Sequence, residues 1–128
     1  MTNIPNELKY TKSHEWVCME DNTVTIGITD HAQSELTDIV YVELPEVGRT
    51  LAKGEQCAVV ESVKTASDIY APAAGEVLAI NPALESSPEL VNDDPYEKGW
   101  FFRVKLTGEL DASALLNSSS YATEIGED

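Results

Sequence analysis

A two-residue hydrophobic period, repeated between turn signals, limits what this chain can fold into more than any other feature. Val24, Ile26 and Ile28 alternate with Thr23, Thr25 and Gly27, the pattern of a strand with one buried face. Val40, Val42 and Leu44 alternate with Tyr41 and Glu43, and Phe102, Val104 and Leu106 with Arg103 and Lys105. Further strands are expected at 14–19, 57–63, 67–71 and 76–80. Asp21-Asn22, Pro45 to Gly48, Lys53-Gly54 and Pro72 to Gly75 punctuate them. Short strands between regular turns predict a mainly β fold, a flattened barrel or sandwich of two antiparallel sheets with a few short peripheral helices.

Helical signals are brief. Thr29 suits the cap of a first helix in which Ala32 and Leu36 share a face and Asp30 occupies the favourable first turn. Ser87-Pro88-Glu89 suits the start of a second, proline being pre-shaped for the first helical position. From Leu110 onward one or two surface helices are expected around Ala114, Leu115 and Leu116. A chain of 128 residues fits one domain, here over 1–128, with a core at about 8–106 and a helical segment at about 109–126. GRTLAKGEQCAVVESVK and TASDIYAPAAGEVLAIN each hold a strand and a glycine turn, arranged about Lys64 as a midpoint. This suggests a quasi-symmetric pair of hairpins.

Charge narrows the function. Against 8 Lys+Arg stand 23 Asp+Glu, a formal net of -15. Such a field repels nucleic acids and anionic lipids and favours basic partner surfaces, although it also serves as a plain solvating coat. The start, MTNIPNELKYTKSHEW, carries neither a signal-peptide apolar core nor an Arg-rich transit helix. The expected location is therefore the bacterial cytoplasm, or the mitochondrion only for a processed form. Cys18 and Cys57 lie far apart in strand-like runs, with no CxxC spacing and with His14 and His31 as the only histidines. No metal site is expected from that set. Reduced thiols are the expectation, with a disulfide left open.

The informative stretch is ESVKTASDIYAP at 61–72. Two strand-like runs meet there with almost nothing between them, so a tight hairpin places Val63, Lys64 and Thr65 at its tip. Glu61 and Asp68 flank the lysine in sequence. An amine thrust away from the body is an accessible acyl acceptor. An ordinary charged turn residue looks the same and is the commoner case, so the hairpin alone does not establish the acceptor reading.

The stretch ESVKTASDIYAPAAGEV resembles the lipoyl-attachment hairpin of glycine cleavage H proteins, where a lysine after Glu-Ser-Val receives lipoate in amide linkage. SHEWV at 13–17, GITDHAQ at 27–33, VELPEVG at 42–48 and NDDPYEKGW at 92–100 resemble the same family in the same order. Biotinyl carriers resemble the fold but usually set their lysine between methionines. Lipoyl domains of 2-oxo acid dehydrogenase complexes are shorter and lack the SHEW and DHAQ segments. Two positions depart from the family pattern: Thr65 follows the lysine where alanine is common, and Thr37 falls where glycine is frequent.

The resemblance implies a barrel-sandwich hybrid fold and a shuttle, not an enzyme, with lipoic acid attached to Lys64 as its cofactor. It implies passage of an aminomethyl group from glycine decarboxylase to an aminomethyltransferase, and of the dithiol to dihydrolipoamide dehydrogenase. A lipoate ligase or octanoyltransferase would attach the arm, and a monomer suits free diffusion. In the family the loaded arm folds into a surface cleft, and the matching positions here are Ser13, Glu15 and Asp68, with His31 close by. Glu15 as a solvated strand residue and His31 as a helix stabiliser are the plainer alternatives. Two other functions compete: an enzyme, for which no linked nucleophile, base and orienting group is seen, and a lipoate-relay or H-like carrier outside glycine breakdown.

Overall fold

A computed structural model of the chain describes residues 3–108 and 115–126. Strands β1 (Lys9–Tyr10), β2 (Glu15–Glu20) and β3 (Thr23–Ile28) lead into helix α1 (Asp30–Leu36). Strands β4 (Ile39–Glu43), β5 (Thr50–Leu51), β6 (Gln56–Ser62), β7 (Ala66–Tyr70) and β8 (Gly75–Ile80) follow. Two single-turn helices, α2 (Ala83–Ser86) and α3 (Leu90–Asp93), precede β9 (Phe102–Leu106), and α4 (Ser118–Glu124) ends the described chain. The strands form two antiparallel sheets, ordered β1-β2-β3-β9-β8-β5 and β4-β6-β7.

The alternating residues of β3 and β9 do what their period predicts. Val24, Ile26, Phe102 and Val104 are fully buried, while Arg103 and Lys105 face out. They pack with Val42, Ala58, Val60 and Ile69 of the smaller sheet into one core between the layers. Strand β4 departs from the expected alternation. A bulge between Ile39 and Tyr41 inserts an extra residue, so Ile39 and Val42 are buried and Val40 is 53% exposed. An inserted residue shifts the phase of every side chain beyond it.

The hairpins nest about Lys64. β6 pairs with β7 in one sheet, and the outer partners β5 and β8 pair in the other, Leu51 opposite Gly75. The two-residue strands β1 and β5 are too short to show a period and had no sequence signal.

The helices differ from expectation in position. Thr29 caps α1 as predicted, its Oγ1 accepting from Ala32 N at 3.1 Å. After Ser87-Pro88-Glu89 the turn α3 begins only at Leu90, with the unpredicted α2 before it. In the tail, 110–114 lie outside the described residues. Leu115 and Leu116 are not helical: Leu116 N and O exchange bonds of 2.7 and 2.8 Å with Tyr10. The helix begins instead on the serine run, because Asn117 caps it by accepting from Ser120 N at 2.8 Å. Helix α4 thereby stacks Tyr121 on Tyr10, ring centroids 4.8 Å apart, in a second apolar cluster with Leu8 and Trp16.

Candidate functional site

The β6–β7 hairpin turns on one hydroxyl. Ser62 Oγ accepts from Lys64 N and Thr65 N, each at 3.1 Å, and Ser62 N donates to Thr65 O at 2.8 Å. A serine side chain thus satisfies the turn's donors, which gives the Glu-Ser-Val-Lys order a physical reason. The tip rests on the α1–β4 turn through Val63 N to Asp38 O at 3.0 Å. That turn is itself fixed by Asn92 of α3, whose amide donates to Gln33 Oε1 at 2.9 Å and Thr37 O at 2.8 Å while its oxygen accepts from Ile39 N.

Lys64 is exposed, and its Nζ donates to Glu35 O at 2.8 Å. Carbonyls of a helix's last turn lack intrahelical partners and carry the negative end of its dipole, so an ammonium settles there. Glu35 also borders a cleft of about 320 Å³ between α1 and the β6–β7 hairpin. Its walls are apolar at Ile28, Ala32, Leu36, Val60 and Ile69, and polar at Ser13, His14, His31 and Ser67. The Lys64 amine is therefore bonded to a residue that borders a largely apolar cleft.

The other anticipated residues divide. Ser13 and His31 line this cleft, and His31 Nε2 lies 3.8 Å from Glu35 Oε1. Glu15 does not. It is 1% exposed and lines a neighbouring hollow of about 160 Å³ with Thr11, Ser13 and Tyr70. Its Oε1 accepts from Ser13 Oγ at 2.6 Å and Thr11 Oγ1 at 2.7 Å, and Oε2 from Tyr70 N at 3.3 Å. Burial raises its pKa above the ordinary carboxylate value despite those three bonds. Ser13 borders both spaces. Asp68 stands exposed on β7 opposite Val59, while its neighbours Ser67 and Ile69 border the cleft.

His14 and Ser67 also line the cleft, and neither is among the residues expected there from the sequence. Ser67 was findable by alternation with buried Ile69; His14 was not, because its placement depends on a backbone φ of +74° that no local pattern announces. Both cysteines are free, Cys57 buried and Cys18 half-buried, and burial pushes the Cys57 thiol up to about 12. Among the described residues no His/Cys/Asp/Glu group is arranged to hold a metal, and no helix is long and apolar enough to cross a membrane.

Comparison with known proteins gives a consistent picture. The family described as "Glycine cleavage H-protein" matches residues 8–128. A glycine cleavage system H protein of Chromobacterium violaceum is 60% identical over 127 residues, covering 98% of this chain and 99% of that relative. One from Shewanella baltica is 60% identical over 129 residues, covering all of both. The crystal structure of a glycine cleavage system H protein from Mycobacterium marinum superposes with a TM-score of 0.88 at 42% identity, covering 96% of this chain and 99% of the other.

Proposed function

The chain belongs to the glycine cleavage H-protein family, and from that premise we propose that Lys64 is the residue that carries its lipoyl arm. Members are lipoyl-bearing shuttles that serve the other components of glycine cleavage and are not themselves catalysts. When attached, lipoate supplies a reducible disulfide on a long tether, able to take up and hand on an aminomethyl group. Everything else is placement, which is the protein's share of the work.

One observation carries the assignment: Lys64 Nζ lies 2.8 Å from the carbonyl of Glu35, a residue that also borders the cleft. The cleft fits such an arm. Its volume of about 320 Å³ is at the small end of ligand sites, and its apolar walls suit methylenes and a dithiolane. Acylation converts the ammonium to a neutral amide, removing the charge that binds it to the end of α1. The base of the arm is then free to swing, and the tether keeps its tip at an effective concentration in the millimolar range, ~1 mM or more, near any docked partner.

A cargo amine drawn into the cleft meets Ser13 first and the buried Glu15 carboxylate beyond it. Asp68, exposed on the face of β7 opposite to Ser67 and Ile69, does not line the cleft and adds only to the negative charge of the surface near the hairpin. Glycine decarboxylase, an aminomethyltransferase and dihydrolipoamide dehydrogenase are the partners, and a lipoate ligase or octanoyltransferase loads the arm. The acidic surface steers the protein, as a cytoplasmic monomer, toward basic partner clefts. The relatives' names favour this role over a carrier outside glycine breakdown.

Intact mass tests the assignment. Protein from lipoate-supplied cells should gain one lipoyl increment, Lys64→Arg should gain none, and peptide mapping should place the increment on 61–72. Lipoate found on another lysine would refute the reading.

A further inference from the structure

His14 lines the cleft from an unusual backbone position. Its φ of +74° is in the left-handed region that non-glycine residues seldom occupy. Two bonds hold it there: His14 N donates to Thr11 O, and Thr29 N to His14 O, both at 3.1 Å. The ring lies 5.1 Å from that of His31, centroid to centroid, and its Nδ1 lies 2.9 Å from the hydroxyl of Tyr121 on α4. Tyr121 Oη is in turn 2.7 Å from Thr29 Oγ1, which accepts from Ala32 N at 3.1 Å.

Counting hydrogens sets the direction of this chain. Thr29 is fully buried, and among the described residues Tyr121 Oη is the acceptor in reach of its hydroxyl. Thr29 therefore donates to Tyr121, and Tyr121 donates to His14 Nδ1. The reverse order would leave the Thr29 hydroxyl hydrogen buried without an acceptor, which is costly. With Nδ1 accepting, the neutral imidazole carries its proton on Nε2, and charging it requires breaking the chain.

We propose that Tyr121 is a positioning residue for the arm cleft: it holds His14 as the neutral Nε2–H tautomer, so the cleft presents a hydrogen-bond donor and no added positive charge to an amine-bearing arm. The inference rests on reading the cleft as the arm's shelter. An imidazolium at His14 would repel an ammonium in a partly dry space. The titratable groups facing His14 are His31 and Glu35 of α1 and Tyr121 and Glu124 of α4. Burial and His31 lower its pKa, against the two glutamates. Helix α4, remote in sequence from the lysine, thereby becomes part of the site.

The test has two layers. In the unmodified full chain, long-range proton–nitrogen NMR should show His14 as the Nε2–H tautomer. Tyr121→Phe keeps the ring stacked on Tyr10 and should give mixed tautomers and a raised His14 pKa. In the lipoylated, aminomethyl-loaded chain, Tyr121→Phe should release the methylene group severalfold faster than wild type near about pH 6 and at the same rate near about pH 8. In a His14→Gln background, which cannot charge, Tyr121→Phe should have no effect. An Nδ1–H tautomer in wild type overturns the inference, as does acceleration equal at all pH or persisting beside His14→Gln. If aminomethyl loading of the lipoylated chain leaves the Ile28 and Ile69 methyl signals unmoved in wild type, the shelter reading fails and takes the inference with it. If they move while Tyr121→Phe leaves release unchanged, the inference fails alone.

Discussion

The indole of Trp16 lies across Gly27 on the neighbouring strand, so close that a Cβ on the glycine would stand 2.6 Å from Nε1. The ring has no room to yield, because it is 2% exposed and its Nε1 donates to Pro95 O at 2.9 Å. Gly27→Ala should therefore destabilise the fold by about 1–3 kcal/mol, the usual range for overpacking. In urea the midpoint should fall with the slope unchanged. An unaltered midpoint would mean the indole is not held as described.

Thr37 terminates α1 with φ +67° and ψ -146°. A β-branched side chain is strained there and glycine is not. Thr37→Gly should stabilise the protein by about 1 kcal/mol, the strain relieved less the added freedom of the unfolded chain. Calorimetry should show a melting temperature raised by a few degrees, ~3–6 °C. A drop would show that the threonine side chain makes a contact worth more than its backbone strain.

The Trp16–Gly27 contact also shows what was legible in the sequence. It joins SHEWV to GITDHAQ, two motifs whose common physical basis appears only once β2 and β3 pair. Alternation located the long strands because each has one core face, and the shortness of the β6–β7 turn put Lys64 at a tip. The failures have physical causes. The β4 bulge broke the period at Val40, and α4 started at the Asn117 cap instead of among the leucines. The cleft was invisible because it arises where α1 docks beside the hairpin, bringing Ile28, Val60 and Ser67 together from three separate segments. The resemblance supplied Ser13, Glu15, His31 and Asp68 as a group; geometry separates them, with Ser13 bordering both hollows.

Val63 is 68% exposed beside Lys64. An apolar side chain there adds nothing to the core, and on the proposed assignment of Lys64 it offers a contact to the enzyme that would load the arm. Val63→Asp should leave stability within about ±0.5 kcal/mol, as for most surface changes, while slowing lipoylation. A time course of intact mass with purified loading enzyme would separate the two. Equal rates would remove Val63 from the recognised surface.

Glu15 should write its burial into the pH dependence of stability. Its pKa is raised in the folded protein, whereas the unfolded chain has the ordinary carboxylate value. Below the unfolded pKa the group is neutral in both states and burial of a charge costs nothing. As pH rises through the folded pKa, the buried charge appears and the stability tied to the neutral form is lost. Glu15→Gln has no such titration and keeps an oxygen for Thr11 and Ser13, giving up the 3.3 Å bond from Tyr70 N. The melting temperature of wild type minus that of Glu15→Gln should thus fall as pH rises above the ordinary carboxylate range and then level off once the buried carboxyl is ionised, carboxylates shared by both proteins cancelling. A difference that rises with pH would mean the three hydrogen bonds outweigh desolvation and the carboxylate is at rest without a partner. If the cargo amine reaches Glu15, loading the arm should flatten or reverse the slope, because a cation beside the carboxylate lowers its pKa. The same variant then reports both the cost of an unpaired buried charge and whether the cargo pairs with it.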